Sequence, residues 1–321
     1  MSFMQAEQIG PAASSRRHAR VIEVEAVGDI CIFNCADDER SLRAAAGAHV
    51  DVYIPDGTIR QYSLLPSGLG QLRFAVKFEM QGRGGSRFLC KNVKAGQLIE
   101  VGALRNNFAL DETAPHSVLI AGGIGITPLY SMVKRLATIG ASWELHYCSR
   151  GGRDALFAAE LVDAYPSQVS VYAGSAGVRL NLRSVLESAA KGAHLYCCGP
   201  ASLIDEFNRL SASRPPETVH VECFKGATSS TPSAPYNARL ARSGKVIAVP
   251  ANGTLLQALL DAGIDVPFSC RDGVCGACEV SVISGCPDHR DSVLSASERA
   301  ANKTIIACCS GSSSDLLELD L

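Results

Sequence analysis

The chain has 321 residues, 47% of them hydrophobic and 19% charged, with a net charge of −2. That is globular composition at a length suited to two or three domains. It carries no electrostatic footprint for nucleic acid or an anionic membrane surface, and no apolar run approaches the ~18 residues of a spanning helix.

The opening MSFMQAEQIGPAASSRRHAR lacks the apolar core of a secretory signal, so the expectation is a soluble cytoplasmic protein. From about Ala19 to Leu110, short β-type runs follow one another: ARVIEVEAV, AHVDVYI, RQYSLL and LRFAVKFEM. Gly and Pro punctuate them at PDG, PSGLG and GRGG. The pattern predicts a small antiparallel β-barrel over residues 1–112. On RQYSLL, an arginine, a ring and a hydroxyl can hold a flavin, with Arg60 on phosphate, Tyr62 against the ring and Ser63 at its edge. These residue types are common on exposed strands, so the run alone is a weak signal. GRGGS (82–86) offers a nest of backbone donors for phosphate, but its plainer reading is a hairpin turn.

Near Ala114 the pattern changes. SVLIA is a continuous apolar strand, GGIGITP follows it, and LYSMVKRLATIG has helical spacing. WELHYC, VSVY, AHLYC and TVHVE alternate with helix-like stretches, which predicts a parallel α/β domain over residues 113–224. A glycine turn at Gly122, Gly123 and Gly125, between strand and helix, aims backbone N–H groups at a phosphate. A tight turn without a ligand is the alternative. YCCGP ends a later strand, placing Cys198 and Gly199 where open α/β sheets bind ligands. A packed thiol ahead of a helix fits equally well.

KGATSSTPSAPYN has no hydrophobic period and predicts a linker over 225–236. Residues 237–321 then offer a hairpin (ARLARSGKVIAVP), an amphipathic helix capped by Thr254, a thiol-rich loop and a closing strand, DLLELDL.

Thirteen cysteines, an odd number in a reducing compartment, do not suggest a disulfide framework. Cys31, Cys35, Cys90 and Cys286 stand apart from any ligand spacing and read as small hydrophobes. SCRDGVCGACEV sets Cys270, Cys275 and Cys278 at C-x4-C-x2-C, the plant-type [2Fe–2S] spacing. Zinc sites favour paired C-x2-C knuckles or mixed Cys/His sets. The fourth ligand falls in IIACCSG. Cys308, with 29 residues between it and Cys278 and at the end of a β-type run, is preferred. On an extended backbone Cys309 would point the other way. Gly273 and Gly276 allow a tight loop to turn its N–H groups towards inorganic sulfide.

RQYS, GRGGS, GGIGITP, YCCGP and the C-terminal ferredoxin-like segment, with PDHRDSVLS and the closing ELDL, resemble the phthalate dioxygenase reductase family over nearly the whole chain. The resemblance implies an FMN-binding barrel, a nicotinamide-binding α/β domain and a β-grasp ferredoxin domain. It assigns Arg60, Tyr62, Ser63, Gly84, Gly85 and Ser86 to FMN, with Lys77 and Thr127 nearby. Gly122, Gly123, Gly125 and Cys198 would face the nicotinamide nucleotide, and Phe224 would pack against the flavin. Two departures are ECF, where relatives often carry ESF, and the ending CCSGS in place of a CVSRA type. The resemblance favours NADH. The second strand of the α/β domain, however, ends HYCSR without an acid for the ribose, and Ser149 and Arg150 can accommodate a 2′-phosphate, so NADPH stays open. The implied function is a monomeric reductase passing electrons from NAD(P)H through FMN and the cluster to a terminal oxygenase of Rieske type. The competing readings are a reductase for another acceptor, such as a diiron monooxygenase, and a non-enzymatic iron–sulfur electron carrier. Flavin and [2Fe–2S] absorption together in purified protein would exclude the carrier.

Overall fold

The computed structural model describes residues 16–37, 44–82, 84–151, 155–224 and 234–321. Three sheets succeed one another along the chain. The first comprises β1 (Arg17–Val27), β2 (Ile30–Asp37), β3 (His49–Tyr53), β4 (Ile59–Ser63), β5 (Gln71–Lys77) and, after helix α1 (Gly85–Asn92), β6 (Leu98–Arg105). Its order is β4-β3-β6-β1-β2-β5, and every pairing is antiparallel. A bulge between Val21 and Glu23 bends β1. The two outer strands meet only near their ends, through a bridge between Leu64 and Phe74 and the Leu65 N–H to the Arg73 carbonyl at 2.7 Å. Pro66 follows at once and has no N–H to extend that seam. The expected barrel is therefore a curled sheet with a short seam rather than a fully laddered closure.

Helix α1 stands where a hairpin turn was the plainer expectation. Gly84 takes φ 93 at its N-cap, and Gly85 and Leu89, four residues apart, are buried.

The second sheet is parallel, with β7 (Ser117–Gly122), α2 (Ile126–Thr138), β8 (Trp143–Ser149), α3 (Ala158–Ala164), β9 (Val169–Ala173), α4 (Leu182–Ser188), β10 (His194–Cys198), α5 (Ala201–Ser211) and β11 (Val219–Glu222). The order is β11-β10-β7-β8-β9. All six residues of β7 are buried, as a central strand covered on both faces requires. The strand order reverses between β7 and β10, which makes their C-terminal ends the switch point of the sheet. Ile32, Leu65 and Ala75 of the first sheet pack into one core with Leu129, Met132 and Val133 of α2, so the first two sheets share a core.

The third region runs β12 (Tyr236–Leu240), β13 (Val246–Val249), α6 (Leu255–Asp261), β14 (Glu279–Ser284), β15 (Pro287–Asp288), α7 (Ala296–Ala301), β16 (Thr304–Ile306), β17 (Gly311–Ser312) and β18 (Leu316–Leu319), with β15 and β17 pairing as a separate two-stranded sheet beside the five-stranded third one. Its order is β13-β12-β18-β14-β16. Thr254 caps α6 as expected, its hydroxyl accepting from the Gln257 N–H at 3.1 Å. Leu255 and Leu259 of α6 pack on Ile305 and Leu317. Most of the expected linker lies outside the described residues. Among those residues, no helix is long and apolar enough to cross a membrane.

Candidate functional site

Strand β4 presents two faces. On one, Tyr62 stacks on Phe74 with centroids 5.4 Å apart, and Phe74 stacks in turn on Phe33 at 5.3 Å. Arg60 shares that face and lies over the first turn of α1. A Cβ on Gly85 would stand 2.9 Å from Arg60 Cγ and 3.0 Å from Nε. Only glycine lets the guanidinium settle on the helix end. The orphan N–H groups of that first turn and the cation thus face one spot, which fits a phosphate. Ser86, in the same turn, uses its hydroxyl to accept from the Glu79 N–H at 3.2 Å.

The other face of β4 turns Ser63 towards its cross-strand neighbour His49 and the end of β11. A small cavity of about 70 Å³ lies there, bordered by His49, Ser63 and Glu222, by Arg60 and Gln61 of β4, and by Phe224 and the Asp272–Val274 loop. Both ring nitrogens of His49 are buried without a protein hydrogen-bond partner, and Ser63 Oγ and Glu222 Oε2 are buried beside one another. Burial lowers the His49 pKa to about 4, Arg105 acting in the same direction and Asp51 against it. Burial also pushes the Glu222 carboxyl up to about 8, against a smaller opposing effect of the Ser63 hydroxyl. Both groups are therefore mostly neutral at pH 7. Buried polar atoms of His49, Ser63 and Glu222 around a small space, with the Arg60 side chain at its border, fit the polar edge of a planar heterocycle. The space admits an edge and not a whole tricyclic ring, and Phe224 borders both it and a much larger cleft.

That cleft, about 2340 Å³, opens at the switch point between β7 and β10. Two turns are pressed together at its floor. A Cβ on Gly125 would run into the carbonyl of Cys198, and one on Gly122 would stand 2.6 Å from Pro200 Cδ. The glycines therefore permit the close approach, and Gly122, Gly123, Gly125 and Gly199 all line the cleft. Ser149 and Arg150, at the end of β8, extend the same wall. Lys77, 3.8 Å from Asp29, and Phe224, 39% exposed, also border it. Thr127 is buried in α2, where its hydroxyl donates to the Ile124 carbonyl at 3.0 Å and ties the glycine turn. The Cys198 side chain is wholly buried, and burial raises its thiol well above the usual range, Glu222 adding to the effect. Gly199, rather than this thiol, lines the cleft.

Cys270, Cys275, Cys278 and Cys308 are all buried, between 2% and 5% exposed. The Cys270 N–H points at Cys275 Sγ at 3.5 Å, and the Asp272 N–H at Cys270 Sγ at 3.3 Å. Gly273 and Gly276 take φ 70 and 69, the left-handed turns that bring those N–H groups round. The strand argument for Cys308 over Cys309 does not hold, because β16 ends at Ile306 and residues 307–309 form a turn. Burial separates the two thiols instead. Cys309 is only half-buried, and its Sγ sits where a Cβ on Gly273 would lie, 2.5 Å away. Among the described residues, no three His, Cys, Asp or Glu side chains are grouped to hold a metal ion.

His49 and Glu222 went unassigned in the sequence reading. Glu222 begins the ECF triplet already singled out, but a carboxylate at a strand end reads as surface until a neighbouring element buries it.

The 2Fe-2S iron-sulfur cluster binding domain family matches residues 238–311, and the family described as Dimethylamine monooxygenase subunit DmmA-like, N-terminal domain, matches residues 99–214. Phenoxybenzoate dioxygenase subunit beta of Ectopseudomonas oleovorans is 45% identical over 278 residues, covering 86% of this chain and 87% of that protein. The solved structure of phthalate dioxygenase reductase, described as modular for electron transfer from pyridine nucleotides to [2Fe–2S], is 35% identical with a TM-score of 0.69, covering 96% of this chain and 98% of that one. An intact type IV self-sufficient cytochrome P450 monooxygenase gives a TM-score of 0.84 at 36% identity over 95% of this chain, which spans only 41% of that longer protein.

Proposed function

This chain belongs to the phthalate dioxygenase reductase family, and on that premise we propose that it is the monomeric, cytoplasmic reductase component of a Rieske-type oxygenase system, carrying electrons from NADH through FMN to a [2Fe–2S] cluster and on to the oxygenase. One observation supports this most: the thiol loop lies directly against the β4 strand that carries Arg60 and Ser63, beside the cleft at the β7–β10 switch point. The modules are a flavin domain over 1–112, a nucleotide domain over 113–224 and a ferredoxin domain over 237–321.

A bound flavin supplies the conversion between a two-electron hydride donor and a one-electron acceptor. In this reading Arg60 and the first turn of α1, Gly84 to Ser86, grip the phosphate. Ser63, His49 and Glu222 offer uncharged hydrogen-bonding groups to the ring edge, while Phe224 covers the ring. Gly122, Gly123, Gly125 and Gly199 admit the nucleotide pyrophosphate, with Ser149 and Arg150 at the adenosine ribose. Cys270, Cys275, Cys278 and Cys308 hold the cluster. Plant-type clusters lie near about −400 mV and Rieske centres at roughly −150 to +300 mV, so the final transfer runs downhill.

Purified protein should show flavin and [2Fe–2S] absorption together, release FMN on acid extraction, and reduce a Rieske oxygenase in the presence of NADH. Absence of NADH-dependent bleaching would overturn the reading, and stoichiometric FAD would overturn the flavin assignment. A second reading, a reductase for a cytochrome P450 acceptor, rests on the P450 monooxygenase match. Comparing reduction rates of a Rieske oxygenase and a P450 separates the two.

Arg60→Ala should raise the Kd for FMN about 10- to 100-fold, because a charge-assisted hydrogen bond contributes roughly 1.5–3 kcal/mol. Fluorescence titration of flavin-free protein reads this directly, and an unchanged Kd would remove Arg60 from the phosphate site. Gly125→Ala should raise the KM for NADH at least about tenfold, since the added methyl must part the two turns. Flavin content should stay unchanged. A normal KM in that variant would mean that the nucleotide does not lie on this turn.

A further inference from the structure

Two side chains tie the thiol loop to the first sheet. Gln61 lies on β4 between Arg60 and Tyr62 and points to the opposite face. Its Nε2 donates to Ser269 Oγ at 2.5 Å and to Asp51 Oδ1 at 2.8 Å. Asp51 is itself buried and receives Arg105 Nη2 at 2.6 Å on each oxygen, so Gln61 is held from behind. Asn107, two residues beyond the end of β6, donates from Nδ2 to the Cys275 carbonyl at 2.6 Å. A Cβ on Gly276 would lie 3.5 Å from that same Nδ2 and 3.3 Å from Val293 Cγ1, so Asn107 sits in van der Waals reach of the loop at Gly276 as well. The two contacts bracket the first pair of thiols: Ser269 immediately precedes Cys270, and Cys275 is the second of the pair.

We propose that Gln61 and Asn107 are positioning residues, a two-point latch that fixes the cluster loop against the flavin strand and so governs electron passage from flavin to cluster rather than hydride transfer to the flavin. The proposal rests on the function proposed above. In the step concerned, one electron leaves the reduced flavin and enters the oxidised cluster, and no bond between protein atoms forms or breaks. Electron transfer slows steeply with separation, so a loop free to move away from β4 loses rate even with an intact cluster. Both latch side chains are neutral, so the contact does not weaken with salt as an ion pair would. The partners are far apart in the chain, 208 residues for Gln61 and Ser269 and 168 for Asn107 and Cys275. The latch therefore ties the first and third sheets together, while the Gln61–Asp51 bond lies within the first sheet.

The test uses full-length holoenzyme carrying Gln61→Ala, Asn107→Ala, Ser269→Ala or the Gln61→Ala/Ser269→Ala pair. Hydrogen exchange of the 269–276 segment should quicken at least about tenfold in each. In stopped-flow with NADH, cluster bleaching should slow at least about tenfold more than flavin bleaching does, although Gln61 also borders the small cavity and Asn107 the cleft. The electron paramagnetic resonance g-values of the reduced cluster should not move, which separates displacement of the loop from damage to it. The double variant should be no slower than Gln61→Ala alone, since both remove one contact. Wild-type exchange with wild-type cluster reduction overturns the latch, as does equal slowing of both bleaching steps or additive slowing in the double variant. If NADH fails to reduce the flavin of the wild-type protein, it is the proposed function that falls, and exchange of the 269–276 segment alone then decides the latch.

Discussion

Cys308→Ser is expected to strip the [2Fe–2S] chromophore from the protein, whereas Cys309→Ser leaves its visible spectrum nearly intact. The two thiols are adjacent in the chain but differ in surroundings. Cys308 is 5% exposed and packs in the core of the third sheet with Cys278, Ile305 and Ile306. Cys309 is half-buried, its thiol interacts with the neighbouring Cys308 thiol, and its remaining hydrogen-bond contacts are long, 3.8 Å to the Ile306 carbonyl and 3.8 Å to Ser310 Oγ. A serine, whose oxygen is smaller than sulfur at the same place, keeps the polar contacts to the Ile306 carbonyl and Ser310. A serine at 308 offers a hydroxyl where a thiolate is needed. Because a group that binds only the folded chain stabilises it by mass action, losing the cluster should also lower the Tm. Iron per chain and the ratio of cluster to protein absorbance measure the loss. Flavin reduction by NADH should survive in both variants, since hydride transfer precedes the cluster. Loss of the chromophore in Cys309→Ser together with retention in Cys308→Ser would reverse the ligand assignment.

Features set by neighbours in the chain were legible in the sequence. The Thr254 cap and the α6 period act within one helical turn, and SVLIA–GGIG–ITP carries its strand, turn and helix signals side by side. The C-x4-C-x2-C spacing belongs to one loop. Helix α1 was not legible, because it is eight residues long and opens on Gly84 and Gly85, whose chemistry suits a hairpin equally. The choice of Cys308 over Cys309 was argued from an extended backbone, and the turn at 307–309 removes that ground while burial still distinguishes the pair. The contacts of Gln61 and Asn107 lie beyond any local pattern, since their partners are 208 and 168 residues away. Glu222 is the same case in electrostatic form. Its charge reads as a solvated strand end, and only the packing of Ser63, Phe224 and the Asp272–Val274 loop around the cavity makes it a buried acid.

That buried acid should make flavin-free protein lose stability as pH rises from about 6.5 to 8, and Glu222→Gln should remove the loss. The folded pKa of Glu222 is raised to about 8 from an ordinary value of 4.5, chiefly by burial. A carboxyl whose folded pKa lies above its unfolded one binds more protons folded than unfolded, so stability falls with pH between those two values. Across the whole window the effect is at most about 5 kcal/mol. His49 and His220 act in the opposite sense, chiefly below 6.5. Burial lowers both to about 4, so the folded state disfavours their protonation and stability rises with pH until they are neutral in both states. From about 4.5 to 6.5 these slopes offset one another. Above 6.5 the two histidines still add roughly 0.8 kcal/mol of rising stability before they are neutral in both states, while Glu222 removes about 2 kcal/mol by pH 8, so its slope is the larger. Flavin-free protein is the right sample, because a bound ring would change what surrounds the carboxyl. Thermal melts at pH 6.5, 7.25 and 8 should show the wild-type Tm falling by a few degrees relative to that of the Glu222→Gln variant, whose amide is neutral throughout. Parallel curves for the two proteins would mean that Glu222 is already ionised at pH 6.5, and its place as an uncharged hydrogen-bonding group at the ring edge would fall with that result.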